Sequence, residues 1–295
     1  MFTSGDGSDG YKNFSELFTE KNEECDEVIL GIHYAGPGKN EGQTFSISWG
    51  GPMNAVEATR NLCDDYYCID GLPIDKSPLF KGKTGKAAYD KENPDFARYE
   101  NRDPRLKGTL FVPGMKWLND VYNYPKEGGK KIPSVSQVAI MKWFVPENMA
   151  NEYDGSLDYY VIRYAEVLLS LSEAMIEKGG YSQEQITKYI NEVRERAYGT
   201  TYFNEHRSEI AYPNDKDATF YANNRFVGSD DNPIEAILKE RMREFLFEGK
   251  RWYDIRLMGN EYATKYSNAN SERLLWPIDE NTLGENSALN QTSGY

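Results

Sequence analysis

Histidine is nearly absent from this chain: His33 and His206 are the two in 295 residues. With so few imidazoles, a Ser-His-Asp triad and a zinc centre built on histidine are both nearly excluded. Three cysteines, Cys25, Cys63 and Cys68, cannot make a disulfide framework. Cys63 and Cys68 lack metal-ligand spacing, and all three are expected as buried thiols. No apolar run approaches the ~20 residues of a membrane-spanning helix, and no secretory leader precedes Phe2. The acidic spacing of the opening MFTSGDGSDG falls short of an EF-hand loop, so no metal is expected there. Positive charge is also scarce: 34 Lys and Arg against 47 Asp and Glu give a net charge of −13. Such a chain repels phosphate backbones and anionic bilayers, and no nucleic-acid partner is expected.

What the chain has in excess is aromatic rings, with 22 Tyr, 13 Phe and 5 Trp. Most must build a core, yet a Tyr-rich acidic protein also suits stacking on uncharged ligands. The length allows one large domain or two small ones with a real core.

The densest pattern is NPIEAILKERMREFLFEGKRWYDIRLMG, residues 232–259. Asn232 is a good N-cap, Pro233 fits the first helical position, and Glu235 sits where it can reach back to the cap. Ile234, Ile237, Leu238, Met242, Phe245 and Leu246 recur at spacings of three and four and make one apolar face. Glu240, Glu244, Glu248 and Arg251 fall along one line of this helix, with Arg241 and Arg243 beside it. A solvated face is the simpler reading of such a charge run. The line borders large apolar side chains, however, so a partly buried ion-pair seam with a structural role is expected.

Elsewhere the chain alternates punctuation and pattern. Residues 1–26 are expected to be a flexible lead-in with a short helix near 13–19, followed by a β-type run over 26–34 and a Gly-rich loop over 35–42. An apolar, aromatic run over 44–52 ends in Gly-Gly-Pro, with a helix expected over 54–65. Asp70-Gly71 is a turn signal. In YENRDPRL, residues 99–106, Asp103 is pushed out of helical geometry by Pro104, and Arg102, Asp103 and Arg105 are expected to pair locally. Residues 111–151 are loop-rich. From Asp158 a mostly buried helix is expected, with Val161, Tyr164, Leu168, Leu171 and Met175 on one stripe and Ile162, Ala165, Leu169 and Ile176 on another. Gly179-Gly180 ends it, and Ser182 with Gln185 forms a capping box for a second helix that stops at Gly199. Arg163, Glu166 and Glu173 lie within apolar stripes and need partners, which the 232–259 helix can supply. Residues 200–231 are expected to be a polar loop.

Five of these motifs, in this order, resemble the SusD/RagB family of outer-membrane nutrient-binding lipoproteins of Bacteroidetes. They are the strand at 26–30, YENRDPRL, the YVIRYAEVLL run at 160–169 with its Asn191-Glu192-Val193-Arg194 partner, the ER..EF..EG.R..DI pattern from Glu240 to Ile255, and the tail from Trp276-Pro277-Ile278 to Tyr295. Asp26, Leu30, Asp279, Ser287 and Ser293 depart from the usual residues. The resemblance implies a mainly α, SusD-like fold of tetratricopeptide-like helices packed with a loop-rich region of short strands. It covers only the C-terminal portion of such a protein, so the N-terminal part, with its helical hairpins and lipidated cysteine, is expected to be missing. The implied organisation is a ligand region over 27–157, a helical core over 158–259 and an extended tail over 260–295.

The resemblance further implies a non-catalytic role with no cofactor: binding an extracellular glycan and delivering it to a SusC-like TonB-dependent transporter on the external face of the outer membrane. Peptide capture is the alternative within the family. A helical glycoside hydrolase using a carboxylate pair such as Asp64/Asp65 is a different class, but in so acidic a chain a pair carries little information. The shared motifs describe scaffold, so ligand contacts are sought in loops. Trp49 is the first candidate, beside the Gly50-Gly51-Pro52 break, with Tyr34, Tyr67 and Trp117 as secondary candidates.

Overall fold

A computed structural model describes residues 1–36, 38–44, 58–84, 95–117, 120–121, 138–144, 154–210, 233–266 and 275–292. The helix expected over 54–65 is described from Arg60, and the N-cap at Asn232 and most of the 44–52 run lie outside these residues.

In chain order the elements are α1 (Gly10–Ser15), β1 (Val28–Ile32), α2 (Arg60–Asp65), α3 (Arg105–Thr109), β2 (Leu110–Phe111), β3 (Lys116–Trp117), β4 (Asp120–Val121), β5 (Ala139–Ile140) and β6 (Tyr159–Arg163). Then come α4 (Tyr164–Lys178), α5 (Gln183–Tyr198), α6 (Thr200–Glu205), α7 (Arg207–Ile210), α8 (Pro233–Phe245), α9 (Arg251–Leu257), α10 (Asn260–Tyr266) and α11 (Glu280–Glu285). Each strand pair is antiparallel and two-stranded: β1 with β6, β2 with β5, and β3 with β4. The architecture is mainly α, with helices carrying the core. Residues Met1–Glu244 form one compact unit and Phe245–Tyr295 a second.

The lead-in is held in place. Phe2 N–H donates to Glu27 Oε2 at 2.7 Å, and Asn13 Nδ2 bridges to the carbonyls of Gly7 and Arg196 at 2.9 and 3.1 Å. A Cβ at Gly10 would collide with the Ala197 carbonyl, so glycine lets α1 rest directly on the end of α5. Phe14 and Phe18 are buried there; Phe18 meets Phe14 and Trp143 edge-to-face at 5.4 and 4.9 Å between ring centres and stacks on Tyr160 at 5.7 Å.

A helix does not begin at Asp158. Residues Tyr159–Arg163 form β6, because this aromatic and β-branched run finds a pairing strand in β1, with Val28 opposite Arg163 and Ile32 opposite Tyr159. The helix α4 starts at Tyr164 and buries one face, through Ala165, Leu168, Leu169 and Ser172. Away from that face, Val167 and Leu171 (the latter from the first expected stripe) are 43% and 37% exposed. Gly179, at φ 71°, ends α4, and the Ser182–Gln185 capping box starts α5 as expected. The polar loop expected after Gly199 begins instead with α6 and α7. Cys63 and Cys68 are buried, and burial pushes the Cys63 thiol up to about 12; Cys25 is half-buried.

The charge seam is buried, and it reaches far beyond α8. Glu240 receives Arg105 at 2.8 Å, Arg243 at 2.9 Å and Arg194 at 3.1 Å. Glu244 receives Arg163 at 3.1 Å, Arg105 at 3.2 Å and a close contact from Arg196. Arg163 also binds Glu27 at 2.6 Å, and Lys142 Nζ donates to the Glu244 carbonyl at 3.0 Å. Arg105 pairs with Asp103 at 2.7 Å as well. Arg102 does not pair with Asp103: it donates to the carbonyls of Cys63, Tyr66 (2.6 Å) and Arg98 (2.7 Å), binding α2 to the turn before α3. Glu166 finds Arg241 at 3.6 Å, nearer the surface.

The line of charges stops at Glu244. Helix α8 ends at Phe245, and Phe247 takes a left-handed φ of 62° and Gly249 one of 72°, so the helical line expected to run on to Glu248 and Arg251 is interrupted. In the second unit α9 and α10 follow, joined at Gly259, where φ is 93°. The tail, expected to be extended, contains α11, capped by Asp279, which accepts from the N–H groups of Asn281 and Thr282. Gln291 clamps both backbone groups of Ile278 at 2.8 Å.

Glu244→Ala removes an acceptor shared by three buried guanidinium groups and should cost roughly 3–5 kcal/mol by denaturant midpoint. Arg241→Ala, at a partly exposed pair, should cost less than half as much. Burial alone would raise the Glu244 carboxyl, but Arg196, Arg163 and Arg105 outweigh it and hold it down to about 2, from an ordinary 4.5. A depressed carboxyl contributes stability that is present above pH 4.5 and lost as pH falls toward 2. Equilibrium unfolding followed from about pH 6 to about pH 2.5 should lose on the order of 3 kcal/mol through this group alone, and Glu244→Gln should flatten that limb.

Candidate functional site

The loop that leaves β1 is a polar segment held by acceptors from far along the chain. It is rich in glycine and turns through left-handed geometry at Gly36 (φ 78°), Gly38 (φ 87°) and Asn40 (φ 58°). A loop of this kind points several N–H groups inward together, and they need an acceptor. Asp154 supplies it. One carboxylate oxygen accepts from Gly38 at 2.6 Å, Lys39 at 3.1 Å and Asn40 at 3.2 Å; the other accepts from Gly42 at 2.9 Å. Slight desolvation opposes ionisation, but these four donors together hold the Asp154 carboxyl below its usual range. Gln43 and Gly155 then exchange backbone hydrogen bonds of 2.9 Å in both directions.

The root of the loop is fixed by Asp158. Its carboxylate accepts the Tyr34 N–H at 3.0 Å and lies 2.5 Å from His33 Nδ1. Behind it, the Asp158 N–H donates to Glu23 Oε1 at 2.6 Å, and Ser156 Oγ donates to Glu20. Burial, together with the neighbouring charges of Asp158 and Glu20, raises the Glu23 carboxyl to about 7 against the Asp158 N–H bond that lowers it.

Of the four aromatic candidates, Tyr34 sits half-exposed on this loop, its backbone pinned. Trp117 lies on β3, paired with Asp120 of β4. Trp49 lies outside the described residues. Tyr67 is a correction. Its ring is 4% exposed, with the Arg243 guanidinium 3.9 Å from its centre, so it belongs to the roof of the ion-pair cluster and offers no face to a ligand. The neighbouring Asp70-Gly71 turn forms as expected, with Asp70 accepting from Leu72 N–H and Ser77 Oγ. Asp64 is bound by Arg98, and among the described residues no cluster of three or more His, Cys, Asp or Glu could hold a metal ion. No helix among them is long and apolar enough to cross a membrane.

The sequence reading passed over Asp154, Asp158 and Glu23. Their signal was indirect: a glycine-rich loop creates a demand for acceptors, and Asp154-Gly155 is itself a turn pair, but more than a hundred residues separate donor from acceptor.

The profile of the SusD family matches residues 31–266. SusD-like protein P2 of Formosa agariphila is 30% identical over 168 residues, which are 55% of this chain and 30% of that protein. Among solved structures, NanU of B. fragilis is 34% identical with a TM-score of 0.59, covering 99% of this chain and 55% of NanU. A SusD superfamily protein from Bacteroides vulgatus is 35% identical with a TM-score of 0.57, covering all of this chain and 57% of that one. The chain thus spans about half the length of these solved relatives.

Asp154→Ala removes the acceptor shared by four amides. Amide exchange at Gly38 and Asn40 should accelerate at least about tenfold, while the melting temperature, set by the ion-paired core, should move by no more than about 2 °C. Unchanged exchange at these two amides would mean that the loop is held by something other than Asp154.

Proposed function

This chain belongs to the SusD family, and from that premise we propose that it binds extracellular glycan without transforming it. In this reading the protein works at the external face of the outer membrane and delivers its ligand to a SusC-like TonB-dependent transporter. The observation that carries the proposal is the loop after β1: a segment on a rigid frame, tied at four amides to Asp154 and at its root to Asp158, with Tyr34 half-exposed on it. Sugar rings are recognised by flat aromatic faces for their C–H surfaces and by fixed polar groups for their hydroxyls. A pinned loop supplies both at low entropic cost. Trp49, which follows this loop in sequence, remains the first platform we propose, with Tyr34 and Trp117 as partners.

A glycan array identifies the ligand, and calorimetry on it tests the site. Trp49→Ala and Tyr34→Ala should each weaken binding about tenfold, by the scale of ring stacking on planar platforms, with melting temperature unchanged within about 2 °C. Affinity unmoved by both substitutions would remove this face as the ligand site. Release of reducing ends from the bound glycan would overturn the non-catalytic reading.

A further inference from the structure

The joint between α6 and α7 carries a pair of stacked rings at the surface of the first unit. Gly199, at φ 85°, ends α5 and lets α6 start at once, and the Thr200 N–H donates to the Gly7 carbonyl at 2.9 Å. Phe203 is buried with Ala197, Tyr198 and Ile210, and Tyr202 packs against that cluster. Helix α7 is moored by Arg194, a member of the ion-paired core, which donates to the Ile210 carbonyl. His206, in the link between the two helices, lies flat on Tyr202: the ring centres are 4.1 Å apart and the planes 19° from parallel. Its Nδ1 is 3.0 Å from the Tyr202 carbonyl, which can only accept. Nδ1 therefore carries a hydrogen, and the neutral ring keeps Nε2 as an acceptor. Both rings are half-exposed.

Polar groups gather beside this stack. A Cβ at Gly71 would lie 3.3 Å from the Glu209 carbonyl and the Ile210 Cα, so the Asp70-Gly71 turn rests directly on α7. Asp70 accepts the Leu72 N–H at 3.1 Å through one oxygen and Ser77 Oγ at 2.7 Å through the other, and each oxygen has a second lone pair. Glu209 is exposed on α7, and Arg207 is turned over the Phe203 ring at 5.3 Å. Burial, and after it the charges of Asp70 and Glu209, raises the Tyr202 hydroxyl, which stays protonated as a donor.

Building on the glycan-binding reading above, we infer that Tyr202 and His206, flanked by Asp70 and Glu209, form a sugar-binding subsite distinct from the loop after β1 and take one ring of a neutral glycan. A pyranose offers a C–H face, which packs against an aromatic plane, and an edge of hydroxyls, which need fixed partners. Here the stacked rings supply the plane. The Asp70 and Glu209 carboxylates and His206 Nε2 supply acceptors, and the Tyr202 hydroxyl supplies a donor. The frame is fixed before a ligand arrives, through Arg194, the Gly71 contact and the Thr200 hydrogen bond, so little ordering is left for the binding step. Two carboxylates at the rim repel a sugar acid, which sets the preference for an uncharged ring.

The two histidines of the chain stand at the two candidate places, His33 beside the loop after β1 and His206 here. Their imidazole NMR signals report on each place separately while methyl glycosides of glucose, galactose, mannose and N-acetylglucosamine are titrated into the 295-residue chain. At least one of these sugars should move the His206 signals saturably, with a dissociation constant on the order of 1 mM. Methyl glucuronide should bind at least about fivefold more weakly. Glu209→Gln, at an exposed side chain, should weaken the neutral sugar at least about threefold, read from the same signals. His206 signals unmoved by every sugar overturn the inference. If those of His33 move meanwhile, the glycan-binding reading stands without this subsite; stillness at both counts against the two together. Glucuronide bound as tightly as the neutral sugars, or affinity untouched by Glu209→Gln, overturns the assignment of the acidic rim.

Discussion

Two glutamates one helical turn apart, Glu240 and Glu244, are taken wholly out of water. Removing a carboxylate from water costs several kcal/mol even after relaxation, and only guanidinium groups at hydrogen-bond distance recover it. Those groups come from α3 (Arg105), β6 (Arg163), α5 (Arg194 and Arg196) and α8 itself (Arg243). No two of these elements can separate without uncovering charge. The cluster therefore adds little net energy relative to an apolar core, but it specifies one arrangement of α3, β6, α5 and α8. The depressed carboxyls of Glu240 and Glu244 express the same fact electrostatically.

Aromatic rings complete the enclosure. Lys142 lies 4.3 Å over Phe18, Arg196 lies 5.2 Å over Phe14 and Arg243 lies 3.9 Å over Tyr67. A ring face offers a cation partial compensation while excluding water, which suits charges that must stay buried. Much of the aromatic excess in the composition is therefore spent on the frame, and Tyr67 is the clearest case. Rings left for ligand contact are those carried by loops, and a loop is useful only if its own amides are satisfied. Asp154 and Asp158 meet that requirement at the segment after β1, which lies against the turns on either side of the same sheet.

Much of this was legible in the residues. Periodic apolar positions and the Ser182–Gln185 box marked α5, Gly179 and Gly199 marked helix ends, and the charge density of α8 beside large apolar side chains called for burial. These are local rules: a cap, a period or a left-handed turn depends on residues within one turn of each other, so the order of residues is enough to specify them. The five separated motifs added the family, and with it the mainly α fold.

What the order of residues could not specify was pairing across distance. Arg163 meets Glu244 across 81 positions, and the loop amides meet Asp154 across 112 to 116. An arginine carries no label for its glutamate. Only the packed arrangement of elements decides which charge meets which, and the same arrangement decides local ambiguities. Residues 159–163 fit a helix by apolar spacing and a strand by composition, and became a strand because Val28–Ile32 lay alongside with its hydrogen bonds unsatisfied. The helix from Pro233 was consistent with continuing past Glu248, and ended because Phe247 and Gly249 adopted left-handed backbone that no periodicity announces. The sequence by itself determined the elements, their caps and the need to neutralise buried charge. Tertiary structure decided which partners met that need, because such contacts are made between surfaces that exist only once the chain has folded.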